Sequence, residues 1–235
     1  MGMRVLALDT ATAATTVAVV GDAVRVERSV VDGRRHAEAI APLISEALAE
    51  AGSDDIALVA CGVGPGPFTG LRVGIATALA FGAARDIPVV GVCSLDVMAR
   101  AAIRDIPGPV TVLTRARRAE LCWATYDGHG MRTAGPLIRR EPVEVDGRCV
   151  GDAGPVQSVS YPRAGDLADL VLERIAAGED IPGDVDIPED EAAASGAATA
   201  QVLEARVRAG LVLLPPRPVY LRRPDAEVPV FGGAP

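Results

Sequence analysis

Residues 3–31 read MRVLALDTATAATTVAVVGDAVRVERSVV, and the folding of this stretch decides the architecture. Residues 3–9 are an apolar run of strand length, ending in Asp9 and Thr10. Residues 15–20 and 24–31 are rich in β-branched side chains, and Gly21-Asp22 between them is a turn signal. Three short strands in succession predict an antiparallel meander. The period then changes. Ile40, Leu43, Ile44, Ala47, Leu48 and Ala51 recur at helical spacing over residues 36–51. Pro42 either kinks that helix or marks its true start, and Gly52 stops it. Residues 56–61 are a continuous apolar strand, followed by the glycine-rich loop GVGPGPFTG at 62–70. Residues 71–84 form a helix with Leu71, Ile75, Ala78, Leu79 and Gly82 on one face. Residues 89–92 are another strand, and 95–103 a short helix with Ser94 as its N-cap.

The order β-β-β-α-β-α-β-α is neither simply doubly wound nor all-β. A meander followed by α/β crossovers is the pattern of the ribonuclease-H-like fold, the building block of the actin-like ATPases. The expected class is α/β, with two lobes that each hold a mixed sheet flanked by helices. Residues 1–105 make the N-terminal lobe, and residues 106–235 a smaller, less regular one beginning at the junction IPGP, 106–109. There, residues 110–113 and 120–126 read as strands, and 167–177 and 192–208 as helices. The acidic, Pro- and Gly-rich stretch 178–191 reads as an exposed loop, and 232–235 as a frayed tail.

Composition narrows the chemistry. The 235 residues are 49% hydrophobic and only 3% aromatic, so Ala, Val and Leu fill the core. All 23 basic residues are arginine. The absence of lysine excludes Schiff-base catalysis and a Walker-type phosphate loop. A net charge of −8 is unlike that of a stand-alone nucleic-acid binder. Cys61, Cys93, Cys122 and Cys149 form no CxxC pair and are expected as buried free thiols. The chain opens on a strand-like run without signal-peptide features and contains no apolar stretch of about 18 residues. The expected compartment is the cytoplasm, with no membrane association.

Two segments invite a nucleotide. Asp9-Thr10-Ala11-Thr12 closes the first strand where actin-like ATPases place an aspartate that holds a Mg-bound water. The plainer reading is a turn capped by its own side chains. The 62–70 loop joins a strand to a helix, where N–H groups can bind an anion, but Pro65 and Pro67 remove two donors. Asp9, Thr10, Thr12, Gly64 and Gly66 therefore mark at most a degenerate nucleotide site. Metal ligation finds no basis: the histidines are His36 and His129, and Ile40 stands four residues after His36. His36 and Glu38 face different ways on a helix and make no triad. No catalytic residue is expected. Arg115, Arg117, Arg118, Arg132, Arg139 and Arg140 make the second half locally basic, either a solvated surface or a contact to RNA phosphates. Trp123 and Tyr126 are expected to pack rather than stack on bases.

The run GPGPFTGLRVG at 64–74 closely resembles the GPGSFTGLRIG signature of the TsaB family, also called YeaZ. LALDT at 6–10, His36-Ala37-Glu38 with Ile40, Pro42 and Leu43, residues 89–92 with Ser94-Leu95, and YLRRP at 220–224 resemble other family segments. The likeness spans the chain and is strongest over the first 100 residues or so. It implies a degenerate actin fold and a non-catalytic scaffold. The implied partners are a catalytic TsaD-type subunit and a TsaE-type ATPase, and the complex transfers threonylcarbamoyl to N6 of the adenosine beside a tRNA anticodon. Any ATP is used by the assembled complex. Alone, such a chain is expected as a homodimer, and it meets tRNA only through the complex. The resemblance puts the partner interface on the helices of residues 36–51 and 71–84, with His36, Ile40, Leu43, Ala47, Thr69, Arg72, Val73, Gly74 and Ala78 as binding residues. Bulky replacements of Gly74 or Ala78 are then expected to weaken pairing without unfolding the chain. The family's "DARRxEVY" entry into the second lobe is altered here, with Arg115 for the aspartate and Cys122 for the tyrosine. The alternative reading is an actin-fold ATPase or kinase that uses Asp9 and the 62–70 loop.

Overall fold

The computed structural model describes residues 2–21, 23–52, 55–116, 120–140, 147–154, 159–182, 206, 211–219 and 221. The opening stretch forms β1 (Val5–Asp9), β2 (Ala14–Gly21) and β3 (Val24–Val31), each antiparallel to the next. Then come α1 (His36–Ala51), β4 (Leu58–Gly62), α2 (Phe68–Arg85), β5 (Val89–Val92) and α3 (Ser94–Asp105). β4 runs parallel to β1, and β5 parallel to β4. Every residue of β1 is buried, as a central strand covered on both faces requires. Leu6 and Leu8 look toward α1, α2 and α3, where Ile40, Leu43, Ile75 and Leu95 meet them. Val5 and Ala7 look to the opposite face.

The second sheet consists of β6 (Val110–Arg115), β7 (Glu120–Tyr126), β8 (Arg132–Arg140) and β9 (Cys149–Val150). Its order, β8-β7-β6-β9, repeats the order β3-β2-β1-β4 of the first, with matching senses: antiparallel between consecutive strands and parallel between β6 and β9. α3 lies between the sheets, and its Met98, Ala99 and Ala102 share one core with Val110, Val112, Ala124 and Tyr126. The chain is thus α/β with two mixed sheets and flanking helices, an actin-like frame.

Two late elements return to the first sheet. α4 (Ala164–Ala176) lays Ala164, Leu167, Ala168 and Val171 over Val5, Ala7 and Leu58. β10 (Leu213–Leu214) pairs antiparallel with β5 and completes the order β10-β5-β4-β1-β2-β3. Glu179 ties the two together. Its Oε1 accepts the N–H groups of Val212 and Leu213, both at 2.7 Å, and its Oε2 accepts Arg174 Nε at 2.6 Å. In the stretch 178–191, expected as an exposed acidic loop, Gly178 and Asp180 are exposed but Glu179 is only 8% exposed; from residue 183 the stretch lies outside the described residues. The helix expected at 192–208 (Arg206 apart), the 232–235 tail, Tyr220 and residues 222–224 also lie outside them.

Several boundaries differ from expectation. α1 starts at His36 and runs through Pro42, whose ring sits on the exposed side, so Pro42 is not the helix start. Gly52 does terminate α1, at φ 65° with its N–H on Ala49 O. α2 begins at Phe68, three residues before the helix start expected at residue 71, with Pro67 as its N-cap. All four cysteines are free and buried.

Candidate functional site

Asp9 ends β1 and is 1% exposed. Its Oδ1 accepts the N–H of Ala11 at 2.7 Å, and its Oδ2 accepts the Ser94 hydroxyl at 2.6 Å. Ser94 Oγ in turn accepts the Gly64 N–H at 3.3 Å. Ser94 is therefore not the N-cap of α3; Cys93 holds that position without a side-chain bond, and the serine is spent on the carboxyl. Burial pushes the Asp9 pKa up to about 6, against the lowering by the Ser94 and Ala11 bonds. Thr10 Oγ1 donates to Gly70 O at 2.7 Å and so fastens the turn to the first turn of α2. Thr12 Oγ1 accepts the Ala14 N–H at 3.3 Å.

The glycine loop closes over this turn. A Cβ placed on Gly62 would lie 1.7 Å from Asp9 Oδ2, and one on Gly66 2.0 Å from Ala11 O. Asp9, Thr10, Thr12 and Gly64 are buried and Gly66 half-buried. The residues of the expected degenerate nucleotide site are thus brought together, with their hydrogen-bonding groups engaged within the chain in this conformation. His36 is likewise structural. It is buried, and its Nδ1 sits 2.7 Å from Thr15 Oγ1. Desolvation lowers its pKa, against the pull of Asp32 and a backbone bond to Thr12.

The expected partner-binding residues divide sharply. Ile40, Leu43, Ala47 and Ala78 belong to the chain's own core, and Gly74 is buried against Thr10, whose Oγ1 lies 2.3 Å from an added Cβ. With His36, these five face inward in the isolated chain. Thr69 and Arg72 are exposed, and Val73 is half-buried. Two residues outside the expected binding set stand beside them: Phe68, 39% exposed, and Leu79, 43% exposed, which was expected on one face with Leu71, Ile75, Ala78 and Gly82 but points out while those four are buried. The Arg72 guanidinium lies 3.8 Å from the Phe68 ring centroid. Small side chains, Ala76, Ala80 and Ala83, complete the outer surface of α2. Periodicity missed this surface because α2 is apolar all round, and a stripe analysis finds no second face on such a helix.

In the second sheet, Arg132 is a buried partner of Asp96, with a side chain 3% exposed, so it leaves the basic surface. Arg139 lies over Trp123, 5.3 Å from its centroid. Tyr126 packs, as expected, and donates to Asp96 Oδ1 at 2.6 Å. The Arg115 N–H is bonded to Asp152 Oδ1, while Arg117 and Arg118 lie outside the described residues.

The repeated sheets define an actin-like protein whose Asp9 turn is buried. Residues 30–138 match the family model "TsaD: tRNA N6-adenosine threonylcarbamoyltransferase". An uncharacterized Mycobacterium tuberculosis protein is 48% identical over 139 residues, 57% of this chain and 64% of its own. The tRNA threonylcarbamoyladenosine biosynthesis protein TsaB of Escherichia coli is 38% identical over 128 residues, 53% of this chain and 55% of that protein. The alignments thus span less than two thirds of these relatives. YeaZ from Pseudomonas aeruginosa superposes with a TM-score of 0.64 at 28% identity, covering 75% of this chain and 93% of that one. The chain is thus similar to proteins of the TsaB (YeaZ) family in sequence and in fold.

Proposed function

We propose that this chain acts in tRNA threonylcarbamoyladenosine formation as a non-catalytic subunit that pairs with a TsaD-type catalytic chain. The observation that carries this reading is the outer surface of α2, where Phe68 and Leu79 stand exposed beside Arg72 on a helix apolar all round. Exposed apolar patches of this kind mark interaction surfaces. The names of the relatives and of the matching family model support the pathway. The proposed interface is the exposed side of α1 and α2, in the lobe of residues 1–105, with residues 106–235 contributing the second lobe and returning α4 and β10 to the first sheet. A TsaE-type ATPase joins the pair and consumes the ATP, tRNA is met through the complex, and the same α1–α2 surface forms a homodimer when the chain is alone. No described helix is long and apolar enough to cross a membrane, and we place the complex in the cytoplasm. An ATPase or kinase built on Asp9 is disfavoured by the burial of that carboxyl.

The test is light scattering on size-exclusion fractions of the chain alone and mixed with the catalytic paralogue. A 1:1 complex is expected, lost on Leu79→Asp with the monomer's melting temperature unchanged. A complex that survives Leu79→Asp and Phe68→Asp together would remove the interface. No complex with the native chain, or ATP hydrolysis that Asp9→Ala abolishes, would remove the reading.

A further inference from the structure

Away from α1 and α2, a cavity of about 360 Å³ lies between α3, α4, the turn joining β7 to β8, and the residues leading into β10. That is the small end of the ~300–1,000 Å³ range of ligand pockets. Arg132 reaches into its wall from β8. Its Nε, at 3.0 Å, and its Nη2 both donate to Asp96 Oδ1, which also takes the Tyr126 hydroxyl. Its remaining nitrogen, Nη1, is buried with no hydrogen-bond partner, although the side chain is 3% exposed. An unpaired donor on a buried charged group costs about 1–3 kcal/mol or more, so such a group is a standing demand for an acceptor. Arg100, on α3, presents a second guanidinium to the same space. Ile103, Leu170 and Val212 form an apolar strip of the wall, which Arg104, Arg174 and His129 also line.

We propose that this cavity binds a small organic monoanion, a carboxylate with a short apolar tail. The carboxylate meets Arg132 Nη1 and Arg100, and the tail lies along Ile103, Leu170 and Val212. Each of the four arginines of the wall is matched by a carboxylate, Arg132 by Asp96, Arg100 by Glu173, Arg104 by Asp166 and Arg174 by Glu179, which offsets the positive charge and disfavours phosphate dianions and nucleotides. The ligand is independent of the partner surface on α2.

Hexanoate is the probe, titrated into the full chain while amide and methyl NMR shifts are followed, with hexanol, hexylamine and phosphate as controls. Saturable shifts at Leu170 and Val212 are expected with hexanoate, with at least tenfold weaker binding of hexanol and none of hexylamine or phosphate. Leu170→Trp, which fills the cavity, should abolish binding. Arg100→Met, a change at a partly exposed side chain, should weaken hexanoate severalfold and leave hexanol unchanged. Arg132→Lys should weaken hexanoate about tenfold; if that variant loses its dispersed spectrum, the other two decide. No saturable binding, binding that survives Leu170→Trp, or equal affinity for hexanoate and hexanol would each overturn the proposal.

Discussion

Asp9 holds its proton at a pH where most carboxyls have lost theirs, and that has a measurable consequence. Its folded pKa of about 6 stands above the ordinary 3.8. The folded state therefore keeps a proton that the unfolded chain gives up. The stability this contributes is present in full below about pH 4 and is lost as pH rises through 6, roughly 3 kcal/mol in all by the linkage relation. Asp9→Asn can keep an acceptor for the Ala11 N–H and has no proton to lose. Urea unfolding at several pH values should show the native chain weakening between pH 4 and 6 relative to the variant, with no further divergence above pH 7. Gly74 behaves differently from its first reading. A side chain there meets Thr10 Oγ1 inside the chain, so Gly74→Val should lower the stability of the isolated protein by about 1–3 kcal/mol, read as a fall in melting temperature without any partner. An unchanged melting temperature would return Gly74 to the surface.

At the scale of elements, the legible ones carry their own signal. β3, β5 and β7 fall where β-branched and apolar runs place them, and α1 ends at its glycine. β8 is illegible because it is an edge strand: it holds Gly135-Pro136 and three arginines, and only Leu137's neighbour Pro136 is buried along it, so no alternation develops. β9 and β10 are two residues each, too short for any period. Asp9 is visible as a strand end, but its partner Ser94 is 85 residues away, beyond the reach of local pattern. The same applies to Glu179, whose acidic surroundings suggest solvent while its carboxylate holds two backbone amides 33 and 34 residues on. Glu179→Ala would leave both N–H groups without their acceptor, at a cost of about 1–3 kcal/mol each if they stay dry. Hydrogen exchange should show Val212 and Leu213 losing protection before β1 does. Protection equal to the native chain's would remove Glu179 from that role.

At the scale of the molecule, the two sheets share one strand order, and α3 serves the core of both. The buried aspartate turn, the buried faces of α1 and α2 and the exposed surface of α2 are consequences of a single arrangement. The 62–70 loop seats the start of α2 against Thr10, and this orientation turns Phe68, Arg72 and Leu79 outward. The motif carried the family resemblance in the sequence, but which of its residues face out required the packing.

The return of β10 to β5 also sets a clock on synthesis. Val92 pairs with Leu213, 121 positions later. At about 5–20 residues per second, a ribosome takes roughly 6–24 s to make that span. For all of that time the β5 edge of the nascent first sheet lacks its last neighbour, and the apolar face that α4 will cover is bare for much of it. The N-terminal half can collapse early, but its sheet is finished only once residues 213–214 have been made. Chaperone demand should therefore be greatest before that point in synthesis.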